Sequence, residues 1–260
     1  KVDTGAKDLA NSHNEKINQL SKIPVVILCG GRGTRLYPDT KTIPKPLVTL
    51  AGTPIVVHII NHYISHGIEN FYLALGYKSE EFEKYFSKNK ELFPKEININ
   101  LVKTGLNTMT GGRLLRLKKT LSIYDEFMLT YGDGLSDVDL NDLYSHYADS
   151  NRIGVVTAVH PPARFGMLDF KENLVTSFQE KPQTDKGWIN GGFFIFKTSF
   201  LNYLENDSTI LEREPLENLS SDRELIGYKH YKFWQCMDTP RDRKILEEYL
   251  AQNKNLPKEK

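Results

Sequence analysis

Five apolar residues in a row, Val25-Val26-Ile27-Leu28-Cys29, run straight into Gly30-Gly31. A strand with one wet face alternates apolar and polar residues, and this run does not alternate. It predicts a strand covered on both faces, as found in parallel sheets wrapped by helices. The following residues keep the same rhythm. Thr53 and Pro54 form an expected N-cap and first-turn pair, opening a helix that carries Ile55, Ile59, Ile60, Tyr63 and Ile64 and stops near Gly67. Phe71–Leu75 is a second apolar strand, and Ser79 opens a helix with Phe82, Tyr85 and Phe86 on one face. Ile97, Ile99 and Leu101 alternate as a strand, and Gly111-Gly112 precede a helix with Leu114, Leu117 and Leu121. Phe127–Tyr131 is a strand ending in Gly132-Asp133-Gly134, before a helix with Leu140, Leu143, Tyr144 and Tyr147. Strand, turn and helix repeated in this way predict an α/β chain with a Rossmann-like, doubly wound, mostly parallel mixed sheet.

Beyond residue 150 the pattern becomes strand-rich. Ile153–Val159, Phe165–Phe170, Val175–Phe178 and Gly192–Phe196 follow with short links, so a partly antiparallel addition is expected. Helical patterns return near Leu201 and Leu216, and Tyr228–Met237 reads as one or two strands. Thr239-Pro240 caps a final helix with Ile245, Leu246, Tyr249 and Leu250. There is no internal repeat. The expected division is a polar N-terminal extension over 1–22, one catalytic domain over 23–252 and a polar tail over 253–260.

Composition narrows the function. Lys and Arg total 34 against 33 Asp and Glu, a net charge of +1, which argues against a binder of nucleic acid or of an anionic membrane. A few local charges still suffice for a small anion. No apolar run is long enough to span a bilayer, and no secretory signal pattern is visible. Two cysteines, Cys29 and Cys236, make no disulfide framework, so a cytoplasmic setting is expected.

The segment Gly30-Gly31-Arg32-Gly33-Thr34-Arg35-Leu36 carries the chemistry. Glycines let a backbone approach phosphate oxygens, and successive N–H groups can form an anion nest. Arg32 and Arg35 add charge, and Lys45, between Pro44 and Pro46, is a point charge on a stiff stem. A dinucleotide fingerprint would need glycine where Leu36 stands and an acid where Ala51 stands, so a nicotinamide oxidoreductase is disfavoured. The P-loop pattern is absent. His58, His62 and His66 share one helix stripe, read as the polar edge of an amphipathic helix rather than a metal site.

LCGGRGTRLYPDTKTIPKPLV resembles the signature of sugar-phosphate nucleotidyltransferases. TGLNTMTGGRLLRL, FMLTYGDGLSDVDL, PPARFGMLDF, SFQEKP, WINGGFFIF, EREPLENL and FWQCMDTPRD extend the likeness over about 23–250 and place it in the cytidylyl branch. The resemblance implies transfer of a cytidylyl group from CTP to a hexose 1-phosphate, glucose 1-phosphate first. It implies Mg²⁺ as cofactor, held by Asp133 and Asp238, with Arg35 and Lys45 as catalytic cations. Leu28, Cys29, Gly30, Gly31, Arg32, Gly33 and Thr34 would hold the nucleotide with Arg35, Lys45, Thr108, Arg113 and Gly132. Arg113 would read the base, and Gly132 would leave room beside Asp133. Glu180, Lys181, Asn190 and Gly191 would hold the sugar phosphate, with Tyr131 a weaker candidate. No side-chain nucleophile is needed for an in-line displacement at phosphorus. Another nucleotide such as UTP or dTTP, another sugar phosphate, or a non-catalytic nucleotide-sugar module remain alternatives. Family active sites lie close to subunit contacts, so a homo-oligomer stays open. The stretch between Phe86 and Thr104, shorter than the family's, bears on that assembly.

Overall fold

A computed structural model describes residues 19–36, 39–161, 167–179 and 187–253. Its frame is an eight-stranded mixed sheet. The first strand, β1 (Val25–Cys29), is central and fully buried. It pairs in parallel with β4 (Asn70–Leu75) on one side and with β6 (Glu126–Tyr131) on the other. Strand β5 (Asn98–Lys103) extends the β4 edge in parallel. Beyond β6 come β12 (Phe194–Lys197), antiparallel, then β8 (Gly154–Val159), with β13 (Leu225–His230) parallel to β8.

The unbroken apolar run of β1 has a direct structural reason. Val25, Ile27 and Cys29 enter one core cluster, and Val26 and Leu28 enter another. The first cluster takes Ile55, Val56, Val57, Ile59 and Ile60 from the Ile55–Ile64 helix, with Leu140, Leu143 and Leu246. The second takes Leu114, Leu117, Leu121, Phe200 and Leu219. Helices therefore cover both faces, as a doubly wound sheet requires.

Some local expectations need correction. Thr53 and Pro54 do not form a cap and first turn: they form the short strand β3 against β2 (Thr49–Leu50), and the helix starts at Ile55 with no side-chain cap. Gly111 and Gly112 lie inside the Thr110–Arg116 helix rather than before it. Two further strands, β9 (Met167–Lys171) and β10 (Leu174–Gln179), form a separate hairpin. Phe165, Gly166, the first eighteen residues and the tail from 254 lie outside the described residues. Strand β11 (Ile189–Asn190) also pairs with β8. The register offset between β11 and β12 marks a break at Gly191–Phe193, where Gly192 has φ +76° and Phe193 φ +46°. A phenylalanine in that region is strained, and stacking on Tyr63 at 6.0 Å offsets the cost. The histidine stripe is not simply a polar edge either. His62 faces Phe193, and its Nε2 is buried with no partner among the described residues.

Candidate active site

Parallel strands point their carboxyl ends the same way, and a crevice opens there. It measures about 320 Å³ and is lined by the loop after β1, by Lys45, by Thr110 and Arg113, by Tyr131 at the end of β6 and by Gly132-Asp133 after it. Asp238 completes it from the other end of the chain. The reason is a small antiparallel ladder: β7 (Gly134–Ser136) pairs with β14 (Trp234–Cys236), Gly134 opposite Cys236. The Met237 amide then donates to the Asp133 carbonyl at 2.8 Å, which sets the two aspartates side by side.

Lys45 lies between them. Its Nζ donates to Asp133 Oδ2 and to Asp238 Oδ1, both at 2.7 Å. Its stem starts a short 3₁₀ turn (Lys45–Leu47) whose preceding Pro44 is fixed at φ −68°. Burial works against the lysine's charge, but the hydrogen bonds and charge of Asp133 and Asp238 outweigh it, and its pKa is raised. Burial likewise pushes Asp238 up, while Lys45 and then Arg35 bring it below the usual carboxylate value. Arg35 reaches Asp238 at 3.1 Å from a side chain 73% exposed. That contact is screened by water and adds little stability; Arg35 is free to move to a ligand.

The two carboxylates already grip one cation, the ammonium of Lys45. Paired hard oxygen donors suit Mg²⁺, and that ion commonly completes its shell with water and phosphate oxygens. Among the described residues no group of three or more His, Cys, Asp or Glu side chains is arranged to hold a metal.

The glycines of the loop do three different jobs. Gly31 has open space where a Cβ would stand. Gly33, at φ +60°, packs against Lys45 and Thr40, whose hydroxyl donates to its carbonyl at 2.7 Å. A Cβ on Gly30 or Gly76 would overlap the Arg113 guanidinium. That guanidinium is 6% exposed as a residue and donates to the carbonyls of Leu75 at 3.3 Å, Gly105 at 2.6 Å and Gly30 at 3.2 Å, and to Thr104 Oγ1 at 3.0 Å. Burial lowers its pKa. Arg113 thus ties the β1 loop, the end of β4 and the 104–106 loop together while lining the crevice.

Of the remaining sequence candidates, Leu28, Cys29, Thr34 and Gly132 also line the crevice, whereas Arg32, Thr108, Asn190 and Gly191 do not. Gly132 is small for a different reason than expected: a Cβ would meet the Leu28 carbonyl at 2.8 Å. Burial pushes the Cys29 thiol up, so it is an inert wall rather than a nucleophile. Asn190 touches the crevice indirectly, donating to the Tyr131 hydroxyl at 3.0 Å. Glu180 and Lys181 lie outside the described residues. The sequence reading missed Thr110, Leu36 and Pro46, which also line the crevice.

The family model described as Nucleotidyl transferase matches residues 24–233. The chain belongs to that family. It is 40% identical over 240 residues to the glucose-1-phosphate cytidylyltransferase of Salmonella typhimurium, covering 85% of this chain and 93% of that protein. The mannose-1-phosphate guanyltransferase of Gibberella zeae is 32% identical over 84% of this chain, but the match spans only 61% of that protein. HddC from Yersinia pseudotuberculosis, crystallised with GMP-PN, shares the fold with a TM-score of 0.68 at 22% identity, covering 88% of this chain and 99% of the other. In this nucleotidyltransferase the paired carboxylates and the lysine line the crevice at the carboxyl ends of the parallel strands.

Proposed function

We propose that this nucleotidyltransferase transfers a cytidylyl group from CTP to glucose 1-phosphate, giving CDP-glucose and pyrophosphate. The observation that carries this is the Lys45–Asp133–Asp238 cluster at the carboxyl ends of parallel strands. The nucleotide and sugar follow from 40% identity along nearly the whole of the Salmonella enzyme. A phosphate oxygen of the sugar phosphate attacks the α-phosphorus of CTP. A new P–O bond forms, the bond to the β-phosphate oxygen breaks, and its electron pair leaves with pyrophosphate. Such a displacement asks the protein for alignment and charge neutralisation rather than for a nucleophile.

The chain's residues divide this work. Lys45 stays protonated at neutral pH and, with the more exposed Arg35, supplies cations for the triphosphate. Gly31 leaves its backbone open to phosphate oxygens. Arg113 frames the base site, its orientation fixed by backbone carbonyls. Tyr131 and Asn190 stand toward the acceptor, with Glu180, Lys181 and Gly191 as the remaining acceptor contacts. Asp133 and Asp238 would hold Mg²⁺, which supplies further neutralisation of phosphate charge when bound. Among the described residues no helix is long and apolar enough to cross a membrane.

A pyrophosphate-release screen tests this reading. Four nucleoside triphosphates are crossed with a panel of sugar 1-phosphates, with and without Mg²⁺. CTP with glucose 1-phosphate should dominate, and only with the metal. Release with UTP or dTTP but not CTP overturns the assignment.

A further inference from the structure

Glu212 is absent from the crevice lining, yet two groups that line it depend on its carboxylate. The chain before it, from Asp207, lies across the start of the Thr110–Arg116 helix. The Met109 amide donates to the Asp207 carbonyl at 2.9 Å and the Gly112 amide to the Thr209 carbonyl at 3.1 Å. Arg116 grips the Asp207 carboxylate with contacts of 2.9 and 2.6 Å. A Cβ on Gly112 would overlap the Asp207 backbone, and one on Gly111 would meet Thr209 Cγ2 at 2.8 Å. The paired glycines are what let this segment dock.

The docking delivers Glu212 to a fixed place, and both of its oxygens are used. Oε2 accepts from the Thr110 hydroxyl at 2.7 Å, and Thr110 Oγ1 accepts in turn from the Leu211 amide at 2.9 Å. Oε1 accepts from the Tyr131 hydroxyl at 2.7 Å. The same hydroxyl accepts from Asn190 Nδ2 at 3.0 Å, and Asn190 Oδ1 accepts from the Gly192 amide at 2.8 Å in the strand break. Donor and acceptor roles agree at every link. Burial, and then the Glu212 charge, raise the Tyr131 pKa, so its hydroxyl stays a donor. A tyrosine ring at the end of β6 is thereby held from two sides by one connected network.

We propose that Glu212 is a positioning residue for the acceptor sugar phosphate: acting through Tyr131, it fixes the ring that borders the acceptor site. This rests on the proposed function for the identity of the acceptor and for its place beside Tyr131, which lines the crevice. Steady-state constants for both substrates, with direct titration of CTP, test it. Glu212→Ala should raise the KM for glucose 1-phosphate about tenfold, the usual scale for one lost hydrogen bond in a polar network. The KM and Kd for CTP should stay within about twofold on the same reasoning. Tyr131→Phe should produce a similar rise, and the double variant should be no worse than Tyr131→Phe alone. Glu212→Gln, which keeps the shape and one acceptor oxygen, should fall between; it stands in if the alanine variant fails to fold.

The proposal is overturned by an unchanged acceptor KM, by equal losses for CTP and acceptor, or by losses that multiply in the double variant. If the screen selects a different nucleotide or sugar phosphate, the proposed function falls. The same split, measured with the selected pair, still decides the role of Glu212.

Discussion

Gly112→Ala separates two explanations of the paired glycines in Thr110–Arg116, and it does so by sign. In an exposed helix interior, replacing glycine by alanine gains about 1 kcal/mol. If Gly112 only kept space for a ligand, the free protein should be stabilised by roughly that amount. The geometry says otherwise. A Cβ would stand 2.7 Å from both the Cα and the carbonyl carbon of Asp207, about 0.7 Å inside ordinary contact, and the obstruction is backbone. Relief requires shifting Asp207–Glu212 and weakening the bonds from Met109 and Gly112. Overpacking of this kind costs roughly 1–3 kcal/mol, and each weakened backbone bond about 1 more. After the helix gain, the net loss is about 1–4 kcal/mol, or a fall in Tm of roughly 3–10 °C for a chain this size. Scanning calorimetry on ligand-free protein reads it. A Tm that holds or rises refutes the docking argument. Gly31→Ala is the paired control: with open space around it, Tm should stay within about 1 °C, while the KM for CTP rises.

Three further outcomes are expected. Lys45→Met should cut turnover by about a hundredfold or more; it should also strengthen Mn²⁺ binding to the nucleotide-free protein, because no ammonium then stands between Asp133 and Asp238, and unchanged Mn²⁺ affinity by electron paramagnetic resonance counts against that placement. Arg113→Ala should weaken CTP binding more than sugar-phosphate binding and lower Tm, since five acceptors each lose one donor; calorimetric titration of each substrate distinguishes this from an equal loss. Burial, foremost, lowers the His62 pKa from 6.5 to about 4. Between those values the unfolded chain takes up a proton that the fold refuses, so stability should fall as pH drops from 6.5 to about 4, by at most about 3 kcal/mol. His62→Phe should flatten that slope in denaturant titrations, and an unaltered slope assigns it to other groups.

The parts of the fold set by local pattern were legible in the sequence. The five apolar residues of β1 read as a two-sided strand because each face meets its own core, and Asp133 and Asp238 stood out at a strand end and a helix start. Other roles depend on residues distant in the chain. Thr53-Pro54 has the chemistry of a helix start, but pairing with Thr49-Leu50 wins. Gly30 looked like a phosphate-cradle residue, yet its missing Cβ makes room for Arg113, 83 positions on. Arg113 in turn was expected to read the base, whereas backbone carbonyls and the Thr104 hydroxyl accept from its guanidinium. Glu212 had no signal of its own in EREPLENL, since only the docking against Gly111-Gly112 shows where its carboxylate goes.

The strand break at Gly191–Phe193 has a practical consequence. The chain has two tryptophans, and they flank that break. Trp188 stacks on His160 with ring centroids 3.9 Å apart, and the Trp234 indole donates to the Gly191 carbonyl at 2.7 Å. Tryptophan emission of this protein, selected by excitation beyond the tyrosine absorption band, therefore comes from one neighbourhood, next to Asn190 and Tyr131. Any rearrangement there when the acceptor arrives should change the emission of the unmodified chain, without a label and without a background from tryptophans elsewhere.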